Sequence, residues 1–536
     1  MSNFFNFNNP VCMAGNSPST FSYDPSILSL KELLLYELKQ IAYYVDRLEG
    51  LDIDKSNIRG KLIDYISLII VNLDFKRNSF NSIIESLKKI KEELEEEYQN
   101  VCENRGVIFQ PLKPGKGVDS SKADLITAIN QGERQSLLKN TSLSKEKKNL
   151  YEIMMNLITN ACFYLVEIKT FDQRFEKGEK AVVRLLNATN FMAVPDKKLL
   201  DKIEEFGNEN QDIISYYENM LFEKYGPITQ VDVSLDMVEG KAILVSGHSF
   251  KDLELVLEAT KERGINVYTH GELILAHAFD KLKKYPHLVG HYQKSMHNFV
   301  LDYSSFPGAI LMTRNSQPHI DLIRGRLFTL DKNPAYGMTG LSDENMEPLI
   351  KSALEARGFT RDEKIETLKV GFDQDAVNNK LAEITNKLKT KEINHLILID
   401  LLNYLEPMDK YMEKLFSILP KDDYIISFSY KETRNNLWHI NSFSALFLFN
   451  KIIKHLKSEF NFADINLTVF LTRCDIHSVY HVLNLKHLGI KHIFLGECCP
   501  TTVNPTLVCG LQDLFNIHKI SNTPEDDLKI ILNGKS

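Results

Sequence analysis

Near Gly226 the hydrophobic pattern of this chain changes period, and no other feature limits its folds so strongly. From about Ser26 to Tyr225 apolar residues recur at helical spacing. Ser29-Leu30-Lys31-Glu32-Leu33-Leu34-Leu35-Tyr36-Glu37-Leu38 opens a long amphipathic helix. Ser79 to Cys102 forms another, with Ile83, Ile84, Leu87, Ile90 and Leu94 on one face and the charged run Lys88 to Glu97 as a solvated face. Tyr151 to Phe171 is a third. Pro111 to Ser121, with Pro114-Gly115-Lys116-Gly117, reads as a loop. This part is expected to be an up-down helical bundle.

Beyond Gly226, short apolar runs alternate with amphipathic helices. Lys241 to Ser246, Ile265 to Thr269 and Ala309 to Thr313 read as strands, with a helix from Phe250 to Arg263. Continuous runs such as Ala242-Ile243-Leu244-Val245 suit strands covered on both faces, hence a parallel sheet. A second unit follows a charged linker around Arg357 to Glu366. Its strands are expected at Leu396 to Ile399, Tyr424 to Phe428, Leu467 to Leu471 and His492 to Leu495, with helices at Met408 to Leu419 and Phe443 to Lys457. A chain of 536 residues exceeds one ordinary core. The expected architecture is multidomain α and α/β. A helical bundle (1–225) precedes a central Rossmann-like domain (226–360) and a C-terminal Rossmann-like domain (361–536), both with mainly parallel sheets.

The net charge of −7 argues against a general nucleic-acid surface. No apolar run reaches the length of a membrane span. Met1 to Thr20 has neither a basic n-region nor an apolar h-region, so a cytoplasmic location is expected. Seven cysteines, Cys12, Cys102, Cys162, Cys474, Cys498, Cys499 and Cys509, are scattered without a CxxC pair and suggest no disulfide framework. Cys498-Cys499 with Cys509 reads either as a reactive or soft-metal site or as buried small residues in a turn. The sequence leaves partners and homo-oligomerisation open.

Parallel α/β sheets bind ligands outside the carboxyl ends of their strands. His248, Glu272, Ser316, Tyr430 and Asp475 all fall at or just beyond such ends. An imidazole and two carboxylates converging there could hold iron, zinc or manganese. Alternatively, His248 caps the next helix and Glu272 pairs with a nearby base. His270, His277, His287 and His291 cluster around Glu272 and read as scaffold. Trp438 and Phe443 to Phe449 read as core.

Val245-Ser246-Gly247-His248-Ser249-Phe250-Lys251-Asp252-Leu253-Glu254, Gly264 to Glu272, Lys284 to Gly290 and Phe306 to Thr313 closely resemble the hybrid-cluster (prismane) family. Its members are also called hydroxylamine reductases and are related to the nickel-iron carbon monoxide dehydrogenases. The resemblance continues weakly through His487-Leu488-Gly489-Ile490-Lys491-His492-Ile493. It implies a helical domain and two Rossmann-like domains enclosing an oxygen-bridged iron–sulfur hybrid cluster, with a cubane cluster at the N-terminus. It also implies hybrid-cluster ligands of one His, two Glu and four Cys. The His falls on His248, the first Glu on Glu272, and the second on Asp475, a shorter carboxylate. The cysteine positions fall on Ser316, near Leu401 or Leu402, on Tyr430, and on or near Phe443. A lysine expected two residues after the second carboxylate is His477. In place of the cubane motif stands Phe4-Phe5-Asn6-Phe7-Asn8-Asn9, and Cys12 is alone.

Iron–sulfur clusters need thiolates. The expected protein is therefore a divergent member lacking both clusters, a non-redox pseudoenzyme or scaffold. Two alternatives stand beside it. One is a hydroxylamine or nitric-oxide reductase of the family type. The other is a mononuclear metal enzyme holding iron or zinc with His248, Glu272, Asp475 and His477.

Overall fold

A computed structural model describes residues 25–71, 80–113, 124–137, 139–293, 299–314, 325–331, 334, 337–400, 406–428, 436–440, 445–471, 478–495, 505–521 and 523–533. Long helices occupy the first part: Pro25–Glu49, Phe80–Arg105, Lys145–Thr170 and Asp196–Tyr225, with shorter ones between them. Lys145–Thr170 starts where Ser144 accepts a hydrogen bond from the Lys147 N–H (3.3 Å). This is an N-cap that satisfies an otherwise orphan donor. From Asn149 to Leu165 it is buried on every side, so it is the axis of the bundle rather than a surface helix.

Two expectations for the bundle need correction. Pro25–Glu49 is not amphipathic in its setting, because neighbouring helices enclose it and Leu30 to Val45 are all buried. Within that stretch the charged residues Lys31, Glu32, Glu37 and Lys39 are therefore buried too. The run Lys88 to Glu97 is a solvated face in part, since Lys89, Glu92, Glu93 and Glu96 are exposed, but its other charged side chains reach inward. Lys91 lies 3.5 Å from the buried Glu37, Glu95 accepts from the Tyr44 hydroxyl (2.7 Å), and Glu97 pairs with Lys55 (2.5 Å). Long side chains lie along the helix and place their heads on buried partners.

Fourteen strands follow among the described residues: β1 Val231–Ser234, β2 Lys241–Ser246, β3 Ile265–His270, β4 Leu288–His291, β5 Ala309–Met312, β6 Leu327–Thr329, β7 Thr339–Gly340, β8 Thr367–Val370, β9 Leu396–Asp400, β10 Tyr424–Ser427, β11 Leu437–His439, β12 Leu467–Leu471, β13 His492–Leu495 and β14 His518–Lys519. The central parallel sheet has the order β4-β3-β2-β5-β6-β7. The C-terminal sheet repeats that order as β11-β10-β9-β12-β13-β14. Each is a doubly wound sheet, and its strand order reverses between β2 and β5 in one and between β9 and β12 in the other. The mixed helical and α/β class read from the sequence is what the structure shows.

The segment expected as a linker is stitched to the central unit. Gly240 and Phe359 exchange backbone hydrogen bonds (both 2.9 Å), as do Met237 and Glu363 (both 2.9 Å), and β8 pairs antiparallel with β1. One apolar core runs from the bundle onto a face of each sheet. The opposite faces have cores of their own, around Tyr268 and Phe306 and around Phe470 and Phe494. Asp196–Tyr225 joins the bundle to the C-terminal unit, with Glu218 accepting from Asn450 (2.7 Å) and Lys454 (3.1 Å).

Gly308 shows how tightly β5 enters the sheet. A Cβ there would lie 2.0 Å from the carbonyl oxygen of Ala242 at the start of β2. The obstacle is backbone and cannot rotate away. Gly308→Ala should therefore fall at or above the upper end of overpacking penalties, about 3 kcal/mol. A urea midpoint equal to that of the unsubstituted protein would contradict this.

Candidate functional site

The site forms where β2 and β5 end side by side. After Ser246 the chain turns through Gly247 (φ +131°) to His248, and Ser249 then starts the helix Phe250–Ala259. The cap is Ser249, whose hydroxyl accepts from the Asp252 N–H (3.4 Å). Ser249 and not His248 thus caps this helix, so the capping alternative does not hold. The His248 N–H donates to Thr313 Oγ1 at the end of β5 (3.1 Å), which ties the turn across the switch point.

The bundle roofs this turn. Phe163 lies against the His248 ring with centroids 4.2 Å apart, and Glu167, one helical turn further on, places Oε1 3.8 Å from His248 Nε2. Glu167 is fully buried. Burial raises its carboxyl to about 8, the nearby Asp252 adds to the rise, and the Ser249 hydroxyl and Arg314 oppose it. Neither Glu167 oxygen makes a hydrogen bond of ordinary geometry among the described residues.

Asp252 is equally buried, and burial raises its carboxyl to about 6 against the pull of Arg314. It accepts from the Arg314 backbone N–H (2.8 Å) and faces Arg314 Nε at 2.9 Å. The other end of the guanidinium meets Asp343 at 2.5 Å. The Arg314 charge is thus committed to two carboxylates.

Glu272 follows β3 in a 3-10 turn, Gly271–Ala278, and is half-buried. Gly271 has φ +67°, a left-handed conformation that glycine adopts without strain. Glu272 and Glu167 both act on the buried phenol of Tyr217, from the helix Asp196–Tyr225, and help raise its pKa well above the ordinary value. Desolvation is the largest cause of that rise.

Beneath the two turns lies a dry polar network. Ser246 Oγ is hydrogen-bonded to His270 Nδ1 (2.8 Å) and to the Tyr303 hydroxyl (2.8 Å), and His270 Nε2 faces Asp302 (3.4 Å). Thr269 Oγ1 bridges His277 Nε2 (2.9 Å) and His291 Nδ1 (3.0 Å). Burial lowers His277 to about 4 and His291 to about 3, and also lowers His270. These neutral imidazoles bolt β2, β3 and β4 together. A buried hydrogen-bonded network of this kind specifies geometry.

Of the residues read from the sequence, His248 and Glu272 lie at the ends of β2 and β3. Ser316, Leu401, Leu402, Tyr430, Phe443, Cys474, Asp475, His477, Cys498 and Cys499 lie outside the described residues. Among the described residues, no three His, Cys, Asp or Glu side chains converge closely enough to hold an ion together. Cys102 and Cys162 are buried in bundle helices, and Cys509 is partly exposed on Pro505–Phe515. No described helix is long and apolar enough to cross a membrane. Sequence reasoning passed over Glu167, Asp252, Arg314 and Tyr217. Glu167 left one signal, a lone carboxylate within Tyr164-Leu165-Val166-Glu167-Ile168. Asp252 left another, since Ser249-Phe250-Lys251-Asp252 has the spacing of a helix cap with an acid at its third position.

A helical bundle roofing the switch point of a doubly wound sheet, with a second such sheet behind it, defines a three-part α and α/β class. The model of the prismane/CO dehydrogenase family matches residues 22–428, and the chain belongs to that family. It is 28% identical over 529 residues to a hydroxylamine reductase of Thermodesulfovibrio yellowstonii, covering 95% of this chain and 96% of the relative. It is 26% identical over 525 residues to one from Acidiphilium cryptum, covering 94% and 93%. It is also 33% identical over 323 residues to one from Methanocella arvoryzae, covering 58% and 59%.

Proposed function

We propose that this protein is a prismane-family member that has lost both iron–sulfur clusters and serves as a non-redox pseudoenzyme or scaffold in the cytoplasm. The observation that carries this reading is the donor chemistry of the crevice. The described side chains at the central switch point, His248, Glu167 and Glu272, offer nitrogen and oxygen. The positions that the family resemblance assigns to thiolates are Ser316, Leu401 or Leu402, Tyr430 and Phe443. Leucine and phenylalanine cannot ligate iron, and serine and tyrosine are poor replacements for a thiolate. Two clusters that each take about four cysteines need more than the seven this chain has, and those seven are scattered.

Hydroxylamine reduction is the second reading, favoured by the names of relatives aligned over nearly their whole length. One measurement separates the two. Protein purified without oxygen and assayed for iron and acid-labile sulfide should hold well under one iron and one sulfide per chain. Stoichiometric iron and sulfide, with dye-linked hydroxylamine reduction, would sink the cluster-free reading and establish the reductase.

A further inference from the structure

We propose that Glu167, reaching down from the bundle, is a metal ligand that works with His248 to bind one divalent first-row cation at the central switch point. This deepens the cluster-free reading and rests on it. In this site a carboxylate from the helical domain supplies coordination that the absent thiolates do not.

Distance is the first argument. His248 Nε2 and Glu167 Oε1 are 3.8 Å apart, too far for a hydrogen bond. Two donors at about 2.1 Å from one ion stand about 3.4 Å apart at a tetrahedral angle and about 4.2 Å apart when opposite each other. The observed gap lies between these limits, so the separation of the two atoms is that of two ligands of one ion.

Burial is the second. The Glu167 carboxyl lies wholly out of water, and among the described residues it has no better hydrogen-bond partner than the poorly aligned Ser249 hydroxyl. A buried polar group is normally satisfied, and exceptions mark an ion, a water or a functional strain. Arg314 is the nearby cation and attracts Glu167, but its closest contacts are with Asp252 and Asp343. Further acidic groups, Asp252 and Asp331, act on Glu167 as well. A divalent cation would add positive charge where one guanidinium serves several carboxylates.

Orientation is the third. Phe163 holds the His248 ring from one side, and the Thr313 hydroxyl holds its backbone. The His248 ligand is therefore held by packing and its turn by hydrogen bonding, as a metal site requires. Glu167 and His248 are the two protein ligands, and water fills the remaining positions. Such nitrogen and carboxylate donors suit zinc, iron(II) or manganese(II).

The test begins with the iron and sulfide assay and continues on chelator-treated full-length protein. Zinc is titrated by calorimetry and cobalt(II) by visible absorption. One ion per chain should bind, and Glu167→Gln and His248→Ala should each weaken binding at least ~10-fold and alter the cobalt spectrum. Glu167→Asp should recover part of the affinity. Glutamine matches glutamate in shape, and a thermal scan without metal verifies that Glu167→Gln still folds. Unchanged zinc affinity in Glu167→Gln would overturn the role of Glu167. Failure of the unsubstituted protein to bind zinc or cobalt, with iron and sulfide absent, would overturn the site but leave the cluster-free reading intact. Stoichiometric iron and sulfide would overturn that reading and this inference together.

Discussion

Replacing Arg314 with methionine should destabilise the central unit by about 3–5 kcal/mol at pH 8, the usual consequence of removing one partner from a buried ion pair. Asp252 is fully buried, and the guanidinium Nε at 2.9 Å is its counter-charge. The backbone N–H of residue 314 survives the substitution but carries no net charge. The pH dependence identifies the cause. Burial already raises Asp252 to about 6, above its value in an unfolded chain. A carboxyl raised in this way adds stability below its unfolded pKa, and that contribution is lost as pH rises through the folded pKa. Without Arg314 the folded pKa climbs further, so the loss extends to higher pH. The deficit of the variant should be small near pH 5 and largest near pH 8. Arg314→Met combined with Asp252→Asn should recover much of it. Because the chain has several units, the comparison belongs to the calorimetric transition of the central sheet. A deficit below about 1 kcal/mol at pH 8, or one independent of pH, would show that this pair does not hold the turn.

The parts of the fold legible in the sequence share one property. β2, β9, β10, β12 and β13 are apolar runs buried on both faces, and they register as continuous hydrophobic stretches. The missed strands are short or at edges. β7 is the exposed pair Thr339-Gly340, and β14 is His518-Lys519. Nothing in their composition marks a strand, because neighbouring strands, not their own side chains, place them. β1 and β8 escaped for another reason. Their partner strands lie more than a hundred residues apart, and local pattern carries no information about such pairing.

The same contrast governs the site. His248 and Glu272 were legible because a glycine turn follows each apolar strand, which is where such sheets expose functional groups. Glu167 was not, because it sits mid-helix in a distant segment. Only the docking of the bundle brings it to His248. The helix Pro25–Glu49 misled for a related reason. Its local pattern is amphipathic, but its polar face is buried by helices that the local pattern does not reveal.

That burial gives the bundle a strong expected pH response. Glu32 and Lys39 on Pro25–Glu49 are both almost inaccessible to water. Burial raises Glu32 to about 7, with Lys39 lowering it, Glu152 raising it, and Ser136 and Lys139 lowering it. Burial lowers Lys39, with Glu32 as its opposing charge. The carboxyl prefers its proton in the folded state, so its stabilising contribution is complete below about pH 4.5 and disappears as pH rises to about 7. A net shift of that size, with the attraction of Lys39 already included, corresponds to roughly 3 kcal/mol. Lys39→Met removes that attraction. Glu32 should then hold its proton to higher pH, and the fall in stability should move upward with it. Glu32→Gln should erase the fall between pH 4.5 and 7 but leave Lys39 buried without its counter-charge. Glu32 and Lys39 attract each other without a direct salt bridge, so Glu32→Gln with Lys39→Met replaces two buried ionisable groups, each disfavoured by desolvation, with neutral groups of similar size. That double variant should therefore melt higher than the unsubstituted protein at pH 8 and show a flat profile across the same window. If it melts lower at pH 8, the attraction between the two charges stabilises the bundle more than their burial opposes it, the reverse of the expected sign.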